Sequence, residues 1–320
     1  MSYSARPPWS AWNALVSGDL MAADKVFNNR IRRKLIQIAA FGFTNCHAGN
    51  FITGKLYNGK FKEFCTPGLN CYSCPAATVS CPIGSLLAVT GRADLKVSFY
   101  VWGFLLAIGA VLGRAVCGFL CPFGLVQDLL GAIPVRKFRL PKILTYVKYA
   151  VLALMVIFIP TVLILVTGRT APLYCKYICP AGMLEGAIPL LLTHESLRDS
   201  AGVLFWVKFA ILIAVIAGSV FVRRFFCKIG CPLGAIYGLL NKVSLYHLTV
   251  DRDKCIDCGK CVGCCPMDVD PVKNPRSAEC IRCGACKAVC PKGAITIGFG
   301  SGKKAAKREG LVDMNVYSRK

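Results

Sequence analysis

The chain has 320 residues, 55% of them hydrophobic and only 17% charged, with a mean hydropathy of +0.54. That is too apolar for one or two water-soluble domains and points to a membrane protein. The 39 Lys and Arg against 16 Asp and Glu would suit nucleic acid, but in a chain dominated by apolar runs the excess belongs at a cytoplasmic membrane face. The expected partner is therefore membrane lipid and not nucleic acid. In a short secreted chain, 20 cysteines would mean a disulfide scaffold, but their spacings argue for another use.

Residues 1–33 lack the pattern of a cleaved signal peptide and read as a cytoplasmic lead-in. Four apolar segments follow, Leu35 to Ile52, Val97 to Gly113, Ile143 to Val166 and Ala201 to Val222. Each approaches or exceeds the roughly 20 residues that cross about 30 Å of hydrocarbon. The pieces at 124–133 and 183–192 are too short to span and read as re-entrant or interfacial helices. With both termini inside, Arg30, Arg32, Arg33, Lys34, Arg136, Lys137, Arg139 and Lys142 lie on the cytoplasmic side, as the positive-inside rule asks.

The first span contains "TNCHAGN", residues 44–50. Asn45 and His47 there would line a quinone pocket, with His47 taking a proton as quinol is oxidised, or would simply hydrogen-bond to a neighbouring helix. Cys46 has no assigned role. The outer loop that follows holds Cys65, unassigned, then Cys71, Cys74 and Cys81.

After the second span comes "GRAVCGFLCPFG" and, 110 residues later, "RRFFCKIGCPLG". The copies match at Arg114 and Arg224, Cys117 and Cys227, Cys121 and Cys231, Pro122 and Pro232, and Gly124 and Gly234. Two cysteines four apart share a helix face before Pro turns the chain away, and one pair cannot complete a four-thiolate site. The repeat implies two halves about a pseudo-two-fold axis that brings the pairs together, unless the thiols merely pack between helices. Arg114 and Arg224 would offset the cluster's charge or mark the membrane boundary. The repeat extends back to "LNCYSCPAAT" and "LYCKYICPAG". These imply a second, outer site formed by Cys175, Cys179, Cys74 and either Cys71 or Cys81, or else a disulfide among them.

Near the C-terminus, "CIDCGKCVGCCP" and "CIRCGACKAVCP" are each the C-x2-C-x2-C-x3-C-P run of a two-cluster ferredoxin. The fourth cysteine of each run ligates the other cluster. One cluster is expected on Cys255, Cys258, Cys261 and Cys290, the other on Cys280, Cys283, Cys286 and Cys265. Zinc knuckles use different spacings. Cys264 stands outside the pattern. The basic stretch 303–310 would be a solvated end, or would meet anionic lipid or an acidic donor. No haem attachment site, P-loop or dinucleotide fingerprint is present in the sequence.

Together these give a mostly α membrane protein: a lead-in at 1–33, a transmembrane domain at 34–248, a small α+β two-cluster ferredoxin domain at 249–298 and a basic tail at 299–320. The membrane part has about four transmembrane helices in two pseudo-symmetric halves with re-entrant helices.

The paired C-x3-C-P motifs and the ferredoxin runs resemble the NapH-type membrane polyferredoxins, quinol dehydrogenase subunits of periplasmic nitrate reductase systems. NosR-like proteins share parts of the pattern. The resemblance covers roughly residues 97 to 295. It implies a multi-pass protein of the inner membrane, its ferredoxin domain cytoplasmic, moving electrons between a donor and a partner oxidoreductase. Quinol, ferredoxin or flavodoxin would be the donor. It also implies two 4Fe-4S clusters in the ferredoxin domain and one or two more in the membrane. The outer cysteines exceed what the simple family pattern requires and favour a path across the bilayer. A cluster-bearing assembly, maturation or redox-sensing protein is the alternative.

Overall fold

The computed structural model describes residues 20–89, 95–168, 172–195 and 202–300. The basic stretch 303–310 and residues 1–19 of the lead-in lie outside them. Helix α1 is Leu20–Thr44, α2 Pro82–Val89, α3 Leu95–Val111, α4 Ala115–Phe119 and α5 Pro122–Leu130. Helix α6 is Lys142–Thr167, α7 Gly182–Thr193, α8 Val203–Phe221, α9 Phe225–Ile229 and α10 Pro232–Leu240.

Among the described residues, α6 and α8 are the helices long and apolar enough to cross a membrane. In α6 the stretch Leu152–Phe158 widens into π-helical turns just before Pro160, which has no N–H to give the ladder. The other two expected spans fall short. Helix α3 counts 17 residues, about a turn less than a bilayer needs.

The segment Leu35 to Ile52 is not one helix. The Thr44 hydroxyl donates to the carbonyls of Ala40 and Phe41 at 2.9 and 3.1 Å, and the Asn45 amide donates to Phe41 O at 3.3 Å. Such side-chain bonds compete with the ladder. The helix ends there, and a single turn, Asn50–Thr53, resumes beyond. "TNCHAGN" is therefore a turn, not the interior of a span.

The polarity of the helical part is inverted relative to a water-soluble protein. Phe99, Leu106, Leu154, Phe158, Leu165, Trp206 and Ile213 face outward, while Arg114, Lys148, Arg224 and Lys228 are buried. An apolar exterior of this extent marks a surface made for lipid or a partner.

The repeat of the sequence is a repeat of the fold. Helices α3, α4 and α5 recur as α8, α9 and α10: a long apolar helix, a single-turn helix, then a nine-residue helix opened by proline. The halves exchange partners, α5 packing on α8 and α10 on α3. Each break needs a left-handed residue. Gly113 supplies it at φ +55° and Arg224 at φ +54°, where a non-glycine persists only if its surroundings hold it.

Strands β1, Tyr246–Val250, and β2, Ile295–Phe299, pair antiparallel with Tyr246 opposite Phe299. Between them stand the short helices α11, Lys260–Gly263, and α12, Ala285–Val289. The first strand of the α+β unit runs from Tyr246 to Val250, across the expected boundary at 249. Leu248, Val250, Cys261 and Ile295 form its own small core. The main core runs without a break from Cys117, Cys121 and Cys231 into Met267, Val269, Ile281 and Cys283, so the unit is packed onto the helical part.

Candidate metal centres

Within the helical part four segments read Cys-Pro-x-Gly, starting at Cys81, Cys121, Cys179 and Cys231. Each opens a helix, with proline at a position that needs no N–H. In each the cysteine sulfur accepts from the N–H of the glycine three residues on. The motif therefore fixes a sulfur over the free N–H groups of a helix start.

The inner set joins two such caps, Cys121 and Cys231, to the cysteines four residues upstream, Cys117 and Cys227. All four are buried. The halves are crossed: Arg114 Nη2 donates to Cys227 O at 3.2 Å and Arg224 Nη1 donates to Cys117 O at 2.5 Å. Gly124 and Gly234 stand beside the opposite half's guanidinium, and a Cβ on Gly124 would come to 3.0 Å from Cys117 O.

Gln127 Nε2 donates to Cys227 Sγ at 3.2 Å, while its Oε1 accepts from the N–H of Phe226 and Cys227. Arg224 is held by Asp128 at 2.8 and 2.5 Å, and Asp128 also meets Arg33 and Gln37 of α1. Burial raises the thiols of Cys117, Cys121 and Cys231, and each is raised further by charge on neighbours in the set. Such thiols ionise only against a cationic core.

The outer set lines a cavity of about 980 Å³ containing Cys71, Cys81, Cys175 and Cys179, with Asn70, Tyr174, Lys62 and Lys208 in its wall. Cys71 and Cys81 are both present, so the choice between them left open by the sequence does not arise. Cys74 does not line the cavity: its Sγ turns to Asn45 Oδ1 at 3.8 Å, and it packs with Ala76 and Ala77, with Cys71 against them. Lys208 Nζ donates to Cys175 O at 3.2 Å. Glu185 accepts from the Cys71 N–H at 2.8 Å, and burial pushes its carboxyl up to about 7.

No disulfide joins any of the 20 cysteines. His47 is engaged elsewhere, stacked on Tyr57 at 4.0 Å and bonded to Thr78 Oγ1 at 3.2 Å. Cys46 is exposed, and buried Cys65 packs beside Ser80 and Ser85.

The tail holds two matching loops. Asp257 and Gly259 in the first, and Arg282 and Gly284 in the second, take φ of +47°, +69°, +50° and +78°. These left-handed residues alternate with Cys255, Cys258 and Cys261, and with Cys280, Cys283 and Cys286, curling each loop tightly. Cys265 lies among Cys280, Cys283 and Cys286, and Cys290 packs against the small core that contains Cys261. Each fourth sulfur also accepts from the N–H four residues on, Cys265 from Val269 at 3.4 Å and Cys290 from Ala294 at 3.3 Å. Cys264 bonds to Cys261 O at 3.3 Å, outside this pattern.

The sets abut. Between outer and inner, Leu69 N–H donates to Cys121 Sγ at 3.4 Å, two residues before Cys71. Buried Tyr174 reaches Gly230 O at 3.2 Å and Tyr237 reaches Pro67 O at 3.1 Å. Between inner and tail, Asn241 Nδ2 donates to Ser277 O and Cys280 O, and Arg282 donates to Leu112 O and Asn241 O. Lys228 pairs with Asp268 at 2.5 Å.

Among the described residues no three His, Cys, Asp or Glu converge as ligands of a single metal ion would. A cubane instead takes thiolates on separate irons around a volume. All-cysteine donors, N–H···S bonds and adjoining cations fit that group.

Gln127, Asp128, Glu185 and Glu279 were not foreseen from the sequence. The signal for two of them was there, because one repeat after Gln127 and Asp128 stand Tyr237 and Gly238, a break in an otherwise matching pair.

The 4Fe-4S binding domain family matches residues 96–141, 151–188 and 204–248, and a second 4Fe-4S binding domain family matches 277–296. The first three segments contain Cys117 and Cys121, Cys175 and Cys179, and Cys227 and Cys231. The chain is 28% identical over 205 residues to an uncharacterised protein of Methanocaldococcus jannaschii, covering 64% of this chain and 71% of that one. It is 27% identical to the putative electron transport protein YccM of Escherichia coli, over 54% of this chain and 48% of YccM. It is 30% identical to the methylamine utilization ferredoxin-type protein MauN of Paracoccus denitrificans, over 51% of this chain and 50% of MauN. The chain thus spans about half the length of the two named relatives. No solved structure matches it. The chain thus carries segments matched by 4Fe-4S binding domain models and is similar to ferredoxin-type and electron-transport proteins.

Proposed function

We propose that this chain is a membrane-embedded electron carrier with a 4Fe-4S cluster on each of four cysteine sets. They are Cys255/Cys258/Cys261/Cys290, Cys280/Cys283/Cys286/Cys265, Cys117/Cys121/Cys227/Cys231 and Cys71/Cys81/Cys175/Cys179. The clusters supply one-electron redox chemistry. The protein's part is to hold the thiolates, keep water from them and set their charge. Arg114 and Arg224 offset the inner set, Lys62 and Lys208 the outer. N–H···S bonds from Gln127, Leu69 and the Cys-Pro-x-Gly glycines favour the more negative state.

The observation that carries the reading is that the segments bearing successive sets touch, Leu69 N–H against Cys121 Sγ on one side and Gly118 against Ile281 O on the other. Carriage across the bilayer follows, with the tail on the cytoplasmic side of an inner membrane and a partner oxidoreductase beyond the outer set. Ferredoxin, flavodoxin or quinol would be the donor. The departure from a quinol-only NapH-type role is the outer set.

Iron and labile sulfide test it: about sixteen irons per chain are expected. About twelve would remove one membrane cluster from the proposal and about eight would remove both. Cys117→Ser and Cys227→Ser should abolish the same EPR signal, and intact signals in both would refute a shared site.

A further inference from the structure

Arg114 and Arg224 occupy equivalent positions, yet only Arg224 finds its carboxylate, Asp128, within the helical part. One repeat after Asp128 stands Gly238. A Cβ there would lie 3.0 Å from Tyr149 Oη of α6 and 3.2 Å from Ala278 O of the tail, so the room of the missing side chain is taken jointly by α6 and the tail. The same loop brings Glu279, whose Oε2 accepts from Arg114 Nη1 at 2.6 Å, while its carboxylate also pairs with buried Lys148. Arg114 donates to Ala278 O as well, at 3.0 Å.

Two residues on, the loop meets α4 at the other end of the contact. A Cβ on Gly118, next to Cys117, would come within 2.7 Å of Ile281 O, nearer than packed atoms allow. Glu279 and Ile281 flank Cys280 of the tail, and Arg114 and Gly118 flank Cys117 of the inner set.

We infer that Glu279 is a positioning residue that completes the inner site from the tail, supplying Arg114 with the carboxylate that Asp128 supplies to Arg224. Gly118 sets how close the two cysteine sets stand. The tail is then a fixed part of the inner site and not a mobile shuttle. Without Glu279, Arg114 and Lys148 face the inner thiolates as uncompensated charge, and a partner-less buried cation favours the more reduced state. This rests on the reading of both sets as cluster sites.

The test uses the full chain purified in detergent, comparing Glu279→Gln, Glu279→Asp and Gly118→Ala. Hydrogen exchange at 115–119 and 277–282, which needs no iron, should quicken at least tenfold in Glu279→Gln and Gly118→Ala. The EPR midpoint of the inner set should rise in Glu279→Gln and return toward wild type in Glu279→Asp. Unchanged exchange in both Glu279→Gln and Gly118→Ala would overturn the inference. So would faster exchange with an unmoved midpoint, which would reduce Glu279 to a docking contact. Iron missing from the inner set of the wild type would instead sink the cluster reading, while the exchange result would still judge the latch.

Discussion

Replacing Asp128 by Asn tests the charge arrangement of the inner site where the structure permits a number. Asp128 is the single acid shared by Arg224, Arg33 and Gln37, and so ties α5, α9 and α1 together. Those guanidinium groups hold its carboxyl at about 2, below an ordinary 3.8, against the burial that would raise it. At about 1.4 kcal/mol per pKa unit the difference is worth about 2.5 kcal/mol of stability. Because the folded value is the depressed one, this stability is complete above about pH 4 and disappears as pH falls toward 2. The Asp128→Asn variant would keep the shape and lose the charge, leaving Arg224 buried without its partner. Breaking a buried pair in that way costs about 3–5 kcal/mol, so the expected loss at pH 7 lies between about 2.5 and 5 kcal/mol. Thermal and denaturant unfolding of both proteins in one detergent, at pH 7 and again near pH 3, would measure it. The gap should narrow in acid, because the wild type then loses what the variant already lacks. A variant within about 0.5 kcal/mol of wild type at pH 7, or a gap independent of pH, would refute the account.

Gln127→Leu removes the N–H directed at Cys227 Sγ and should lower the inner midpoint by up to about 40 mV, the equivalent of about 1 kcal/mol for one electron, in a redox titration followed by EPR. Cys71→Ser should lose about four irons per chain while Cys74→Ser keeps them all; equal losses would return Cys74 to the outer set. Gly113→Ala, which forces a side chain into a left-handed position 2.5 Å from Asn241 Oδ1, should destabilise by more than about 1–2 kcal/mol in unfolding experiments. Gly103→Ala in the preceding helix α3, with nothing within 4 Å of its Cβ, should instead be neutral or stabilising by up to about 1 kcal/mol.

Much of this site is legible in the sequence because its chemistry is periodic. The 110-residue offset pairs Cys117 with Cys227 and Cys121 with Cys231 before any coordinates exist, and the spacing of the tail runs gives the crossover of Cys265 and Cys290. The outer set was harder for a physical reason. Three of the Cys-Pro-x-Gly caps have a cysteine four residues upstream, but Cys81 has its companion ten residues back, at Cys71, across a loop. Spacing alone therefore promoted Cys74, whose "CPAA" mimics "CPAG" down to the backbone N–H groups of Ala76 and Ala77 that meet its sulfur. The break at Thr44 was signalled by the polar run from Thr44 to Asn50, but Phe51 and Ile52 beyond it let the segment read as one span, and the hydrogen bonds of Thr44 and Asn45 are where the helix ends. Glu279 could not be paired from the sequence at all, because its partners, Arg114 and Lys148, come from segments with no spacing relation to it.

The Cys-Pro-x-Gly caps explain why one device serves both the inner and the outer set. A thiolate buried in an apolar helical body is costly, and a four-thiolate site multiplies the cost. A helix start already carries N–H groups with no partner inside the helix, and proline at the first position lets the chain enter without wasting one. Placing each sulfur over such an end satisfies the backbone and the sulfur together, which leaves the cations to balance what charge remains. Where both halves retain the same cation, as at Arg114 and Arg224, the acids that hold them decide how alike the two sides are. One of those acids, Asp128, belongs to the helical part, and the other, Glu279, arrives only with the tail. The inner set is accordingly symmetric in its sulfurs and asymmetric in its charge, and the asymmetric side is the one the tail touches.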